Sequence, residues 1–219
     1  MQKKALFVAT SLAMGSPAHA LDLTYYGGAA LQRTTLEASL DFVPTTPSSG
    51  NSGEDSADGL RLFGGAITRA GQGFYGAEVA FEDGKAKRTI NFSTLPSPGP
   101  GQRGEIKDDH SISLSVIGGV DLRENARLYG RIGYIRTDLE FRTLSTSGIE
   151  VDSKDETFTD LQYAIGFDYF VSDRVAVRAE LSRTDYDDDV SLVGNVTGVL
   201  AEFDDISRDA FSIGIFTTF

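Results

Sequence analysis

LQYAIGFDYFVSDRVAVRAELS, residues Leu161–Ser182, is the stretch whose spacing decides the fold. Leu161, Tyr163, Ile165, Phe167, Tyr169 and Val171 stand at every second position, separated by Gln162, Ala164, Gly166, Asp168 and Phe170. Successive side chains of a strand point to opposite faces, so this is a strand with one uniformly apolar face. Val175, Val177, Ala179 and Leu181 repeat the pattern against Ala176, Arg178, Glu180 and Ser182. Only the Ser172-Asp173 turn separates the two runs, and together they predict a β-hairpin.

Working outward, the same period recurs in Leu60–Thr68 with Phe74–Glu82, and in His110–Leu122 with Leu128–Phe141. Leu21–Thr35 and Ile206–Phe219 remain as first and last strands, giving eight predicted strands and no helical periodicity. Short turns alternate with long polar connections over Phe42–Ala57, Gly84–Asp108, Thr143–Thr157 and Asp187–Asp205. Short turns at one end and long loops at the other are the layout of an outer-membrane barrel. The predicted fold class is therefore all-β, an eight-stranded antiparallel up-and-down transmembrane barrel.

A secreted, water-soluble eight-stranded barrel would also alternate, and the polar faces separate the two readings. Lys85, Lys87, Lys107 and Lys154, all the lysines beyond the first twenty residues, fall in predicted loops. The non-apolar strand faces carry Gly, Ala, Ser and a few charges: Arg61, Glu78, Arg131, Asp168, Arg178 and Glu180. Small residues and pairable charges suit a narrow interior filled by side chains, which leaves lipid to the apolar face. Two aromatic belts are expected at the membrane interfaces. One comprises Phe74, Tyr75, Tyr129, Tyr169, Phe170 and Phe219, the other Phe42, Phe81, Phe141, Phe158, Tyr186 and Phe203.

The first residues are organised differently. A basic start at Met1–Lys4, an apolar run at Ala5–Gly15 and the small-residue site Ala18-His19-Ala20 predict a signal peptide over residues 1–20, with the barrel domain over 21–219. Loss of Lys3 and Lys4 with that leader takes the formal charge from −12 to −14. So acidic a chain repels nucleic acid, and the absence of cysteine removes disulfides and thiolate metal sites.

The pattern resembles the OmpA-type eight-stranded outer-membrane β-barrel proteins. Gly166, Tyr169, Asp173, Arg178 and Glu180 within Leu161–Asp188 carry that resemblance to their sixth-to-seventh-strand hairpin. It covers the barrel alone, so a cell-wall tether is not implied. Thr217 departs from the aromatic that relatives often place third from the end. The resemblance implies contact with outer-membrane lipid and lipopolysaccharide, and recognition of the last strand by the outer-membrane assembly machinery. In that strand Phe211, Ile213, Ile215 and Phe219 share one face and form the expected assembly signal. A monomer, no cofactor, no metal ligand set and no nucleic-acid partner are expected.

The function this supports is a structural or surface-interaction protein without a large open channel. The alternatives are a narrow pore and a lipid-A-modifying enzyme. For the enzyme, His110 in DDHSIS is the one histidine after the expected leader, but Ser111 alternates to the other face and the position two residues on is Ile112. Asp185, Asp187, Asp188 and Asp189, with Asp204 and Asp205, form an acidic run that a divalent cation would favour but that lacks the spacing of a helix–loop–helix calcium site.

Overall fold

The computed structural model describes residues 22–43, 55–84, 86–91, 103–144, 147–186, 190–193 and 200–219, so the expected leader over residues 1–20 lies outside the described residues. The described residues form ten strands: β1 Leu23–Val43, β2 Asp55–Ala70, β3 Gly73–Asp83, β4 Lys87–Asn91, β5 Arg103–Arg123, β6 Ala126–Leu144, β7 Glu150–Phe170, β8 Val175–Tyr186, β9 Val190–Val193 and β10 Leu200–Thr218. Eight of them pair antiparallel in the order β1-β2-β3-β5-β6-β7-β8-β10. Pairing of β1 with β10, from Tyr26 opposite Thr218 to Val43 opposite Leu200, closes the barrel. Closure satisfies each strand's backbone within the sheet and removes the edge that hydrocarbon cannot hydrate.

The short connections form one end. Gly71, at a φ of 64°, makes the β2–β3 turn, a conformation that costs glycine little. Glu124-Asn125 joins β5 to β6. Val171–Arg174 joins β7 to β8, where the Ser172 hydroxyl accepts the Val175 N–H at 3.1 Å. Val171, the last expected residue of its strand, belongs to this turn.

Above the lipid-facing band the strands run further than the sequence suggests. The expected long loop Thr143–Thr157 is mostly ladder, since β6 and β7 pair up to Leu144 opposite Glu150. The expected Gly84–Asp108 and Asp187–Asp205 loops contain β4, paired to β5, and β9, paired to β10. In water a polar strand loses nothing by pairing, and polar cross-strand contacts hold this extension, such as Thr157 to Asp138 at 2.6 Å and Lys107 to Glu140 at 3.8 Å. Lys87, Lys107 and Lys154, expected in loops, therefore stand on strands beyond the apolar band.

Leu31, Leu62, Val79, Val116, Tyr134, Ile165, Leu181 and Ile213 point outward and are well exposed around the wall. The aromatic belts are thinner than expected. Tyr75, Tyr169, Phe219 and Phe81 do face outward, but Phe74, Tyr129, Phe141, Phe158 and Tyr186 are buried, and Phe170 packs against the inner cluster. The side chains of Phe42 and Phe203 lie outside the described residues. Height along a strand places a ring at an interface, whereas parity decides its face. Tyr129 shares the parity of Arg131 and so turns inward with it.

Candidate functional site

The barrel interior is built in three layers. At the short-turn end Tyr26, Phe63, Phe74, Tyr129, Phe216 and the partly buried Phe170 pack together. Tyr26 and Phe216 lie 5.7 Å apart between ring centroids, and Phe170 meets Phe216 edge-on at 5.9 Å. At the long-loop end Ile106, Leu139, Phe141, Phe158, Tyr186 and Ile206 form a second apolar cluster. Charge fills the space between.

Alternation on five strands delivers that charge. Arg61 (β2), Glu78 (β3), Arg131 (β6), Asp168 (β7), Arg178 and Glu180 (both β8) are all at most 3% exposed, and the structure brings all six together. Glu78 is the hub. Its carboxylate accepts hydrogen bonds from Arg61 Nη2 at 2.6 Å, Arg178 Nη1 at 2.6 Å and the Tyr26 hydroxyl at 2.9 Å. Arg178 also donates through Nε and Nη2 to the two oxygens of Asp168, at 2.8 and 3.0 Å. Arg131 donates to Glu180 at 2.8 Å, Gln162 at 2.8 Å and Ser115 at 2.9 Å. The Tyr129 hydroxyl completes Glu180 at 2.7 Å.

Buried ions cost several kcal/mol each unless they are paired and hydrogen-bonded, which is why hub and partners arrive as a set. Arg178 has a further anchor in the aromatic layer. Its guanidinium carbon stands 4.5 Å from the Tyr129 ring centroid, 4.8 Å from Phe63, 4.9 Å from Phe216 and 5.5 Å from Tyr26. Cation–π attraction is strongest in such desolvated positions.

Sequence reasoning missed a second group of interior charges, above the first. Arg208 pairs with Glu82 at 2.7 Å and donates to Asp108 at 3.2 Å, while Gln32 donates to Glu82 at 3.0 Å. Glu82 joins the two groups through Arg61 Nε at 3.4 Å. Glu82 and Arg208 were legible by parity, in step with Glu78 and with Ala210 and Ser212. Asp108 was not, because the ladder slips at Asp109 and places both Asp108 and Ser111 inside. Such a bulge breaks the period-2 rule locally.

Phe211, Ile213, Ile215 and Phe219 all face outward, so the structure sets the expected assembly-signal residues on the lipid side of the closing strand. Phe219 is tied by its backbone to Tyr25, with N–H···O distances of 2.9 and 3.2 Å. His110 stands between two carboxylates, 3.2 Å from Asp109 and 3.1 Å from Asp138. Ser111 is turned inside, donating to Thr137 at 3.0 Å, and is not brought to the imidazole. In the acidic run, Asp185 accepts from Arg183 at 2.9 Å and from Tyr163 at 3.0 Å. Asp187–Asp189 lie outside the described residues, as do the side chains of Asp204 and Asp205. Among the described residues no group of His, Asp and Glu is arranged to hold a metal ion.

A closed, side-chain-filled antiparallel barrel with an apolar exterior defines the class, an integral β-barrel membrane protein. The family model described as "Outer membrane protein beta-barrel domain" matches residues 5–219, and the chain belongs to that family of the bacterial outer membrane. Among solved structures, the outer membrane protein OprG from Pseudomonas aeruginosa is similar at 14% identity and a TM-score of 0.57, covering 91% of this chain and 96% of that one. Ail, the attachment invasion locus protein of Yersinia pestis, is similar at 13% identity and a TM-score of 0.47, covering 89% and 98%. Neisserial surface protein A is similar at 16% identity and a TM-score of 0.42, covering 89% and 97%. At such identities the likeness is one of fold. No curated protein matches the chain.

Proposed function

We propose that this chain is a monomeric structural barrel of the outer membrane that presents a surface-interaction platform and has no large open channel. The observation that carries the reading is the stacked interior. An aromatic layer, a salt-bridged layer and a second apolar layer succeed one another along the axis, and eight strands leave about enough room for side chains alone. The ladders of β5, β6 and β7, and of β1 with β10, continue beyond the lipid-facing band. They offer rigid backbone to a partner outside the cell, and binding residues are commonly held on such scaffolds.

In this reading residues 1–20 direct export, and the outward row Phe211, Ile213, Ile215 and Phe219 is read during assembly. His110, held by two carboxylates with Ser111 turned away, supports no acyl-transfer role. The test is electrical recording of the purified full barrel in planar bilayers. Repeated insertions should give no resolved current steps. Steps of uniform size that vanish when the barrel is omitted would replace this reading with the narrow pore.

A further inference from the structure

The interior network does not balance along its length. In its lower part Glu78, Asp168 and Glu180 are matched by Arg61, Arg178 and Arg131. Above them Arg208 is shared between Glu82, at 2.7 Å, and Asp108, at 3.2 Å. Glu82 also has Arg61 at 3.4 Å, so the weaker share falls to Asp108. Its second oxygen, Oδ1, has no hydrogen-bond partner, although the residue is fully buried.

Arg208 (β10), Glu82 (β3), Tyr186 (β8) and, on its own strand, Asp109 are the charged or titratable side chains around Asp108. Among the described residues the lysines nearby are paired elsewhere. Lys87 on β4 meets Glu105 at 2.7 Å, and Lys107 lies 3.9 Å from Asp109 and 3.8 Å from Glu140. Asp108 stands above the apolar band, where the outward neighbours Asp109, His110 and Asp138 are polar. Burial pushes its carboxyl above the ordinary aspartate value, against the lowering effect of Arg208.

The connection from β3 to β4 covers this carboxyl. Gly84 passes so close that a Cβ there would fall on it, and the Asp108 N–H donates to the Ala86 carbonyl at 2.8 Å. The strand that follows, β4, is five residues long and pairs with β5 from Lys87 opposite Lys107 to Asn91 opposite Arg103. A neutral carboxyl rests beneath such a cover at small cost. A carboxylate with a bare oxygen demands water or a cation, and water reaches it when the connection lifts.

We propose that Asp108 is a proton-operated latch for the external strand β4. Protonated, it lies under Gly84 and keeps the β3–β4 connection against β5; ionised, it draws in water and frees β4 from the ladder. A carboxyl held protonated in the closed form stabilises that form fully below about pH 4, and the stabilisation is lost as pH rises through the closed form's own pKa. The latch goes beyond the proposed function and stands whether or not the barrel conducts.

The test is hydrogen exchange of the full barrel in detergent micelles at pH 4 and pH 8, comparing wild type with Asp108→Asn. Comparing two proteins at one pH cancels the intrinsic pH dependence of exchange. At pH 8 the amides of the β4–β5 ladder should exchange about tenfold faster in wild type, the scale of one buried polar group left without a partner. At pH 4 the two proteins should match, and the lower β1–β10 ladder should match at both values. Equal β4–β5 rates at pH 8, a difference of the same size at pH 4, or a change spread over the whole barrel would each overturn the latch. Faster exchange in D108N at pH 8 would also overturn it, marking ionised Asp108 as a structural partner of Arg208. Should D108N not fold, Asp108→Leu takes its place, and failure of both neutral variants to fold counts against a neutral Asp108.

Discussion

Glu78 accepts hydrogen bonds from two guanidiniums and a phenol in a space with almost no solvent contact. Glu78→Ala would leave Arg61 and Arg178 short of an anion and Tyr26 without its acceptor. Breaking one member of a buried ion network costs about 3–5 kcal/mol, and E78A should lower barrel stability on that scale in urea titrations read by gel mobility in lipid vesicles. Glycines give a sharper contrast. A methyl at Gly166 would fall on the Tyr129 ring, whereas one at Gly118 would come no nearer than 3.7 Å to the Phe74 carbonyl. Gly166→Ala should therefore destabilise by about 1–3 kcal/mol, through displacement of Tyr129 from Glu180, while Gly118→Ala stays near wild type. The same urea titration separates them.

At the scale of the element, β10 closes the barrel and also carries the row offered as an assembly signal. Removing Phe219 deletes two backbone hydrogen bonds to Tyr25 and a ring that is 73% exposed, so its effect on a folded barrel should be near 1–2 kcal/mol. If assembly reads that ring, the amount of heat-modifiable barrel in the outer membrane should fall far more than this stability loss explains. Parallel loss of both would remove the assembly role. The β6–β7 extension supports the complementary test. Joining Asp138 to Thr157 through an Asn-Gly turn should preserve membrane insertion and the lower ion network, because Arg131, Gln162 and Glu180 all lie below the cut. The heat-shift assay reads that outcome directly.

For the molecule as a whole, interior packing makes the barrel rigid as well as closed. Arg61, Arg131, Arg178 and Arg208 face Glu78, Glu82, Asp108, Asp168 and Glu180, so four cations meet five acidic groups in one connected network. A barrel held this way should migrate as one compact species unheated and shift to a slower form only on boiling. Partial unfolding at low temperature would argue against a single cooperative interior.

The alternating residues of Leu161–Ser182, the short turns and the apolar last strand are local signals, and each was readable because strand parity is a property of sequence alone. They determined the all-β class, the lipid-facing surface and most of the lower ion network. Asp108 was hidden by a bulge, the inward aromatics by weighing height over parity, and the external ladders by their polarity. Which charge meets which is a relation between residues far apart in sequence, as with Arg178 and Glu78 or Arg208 and Glu82. Only closure of the barrel sets those distances, and only closure made a filled interior and its unmatched Asp108 carboxyl visible.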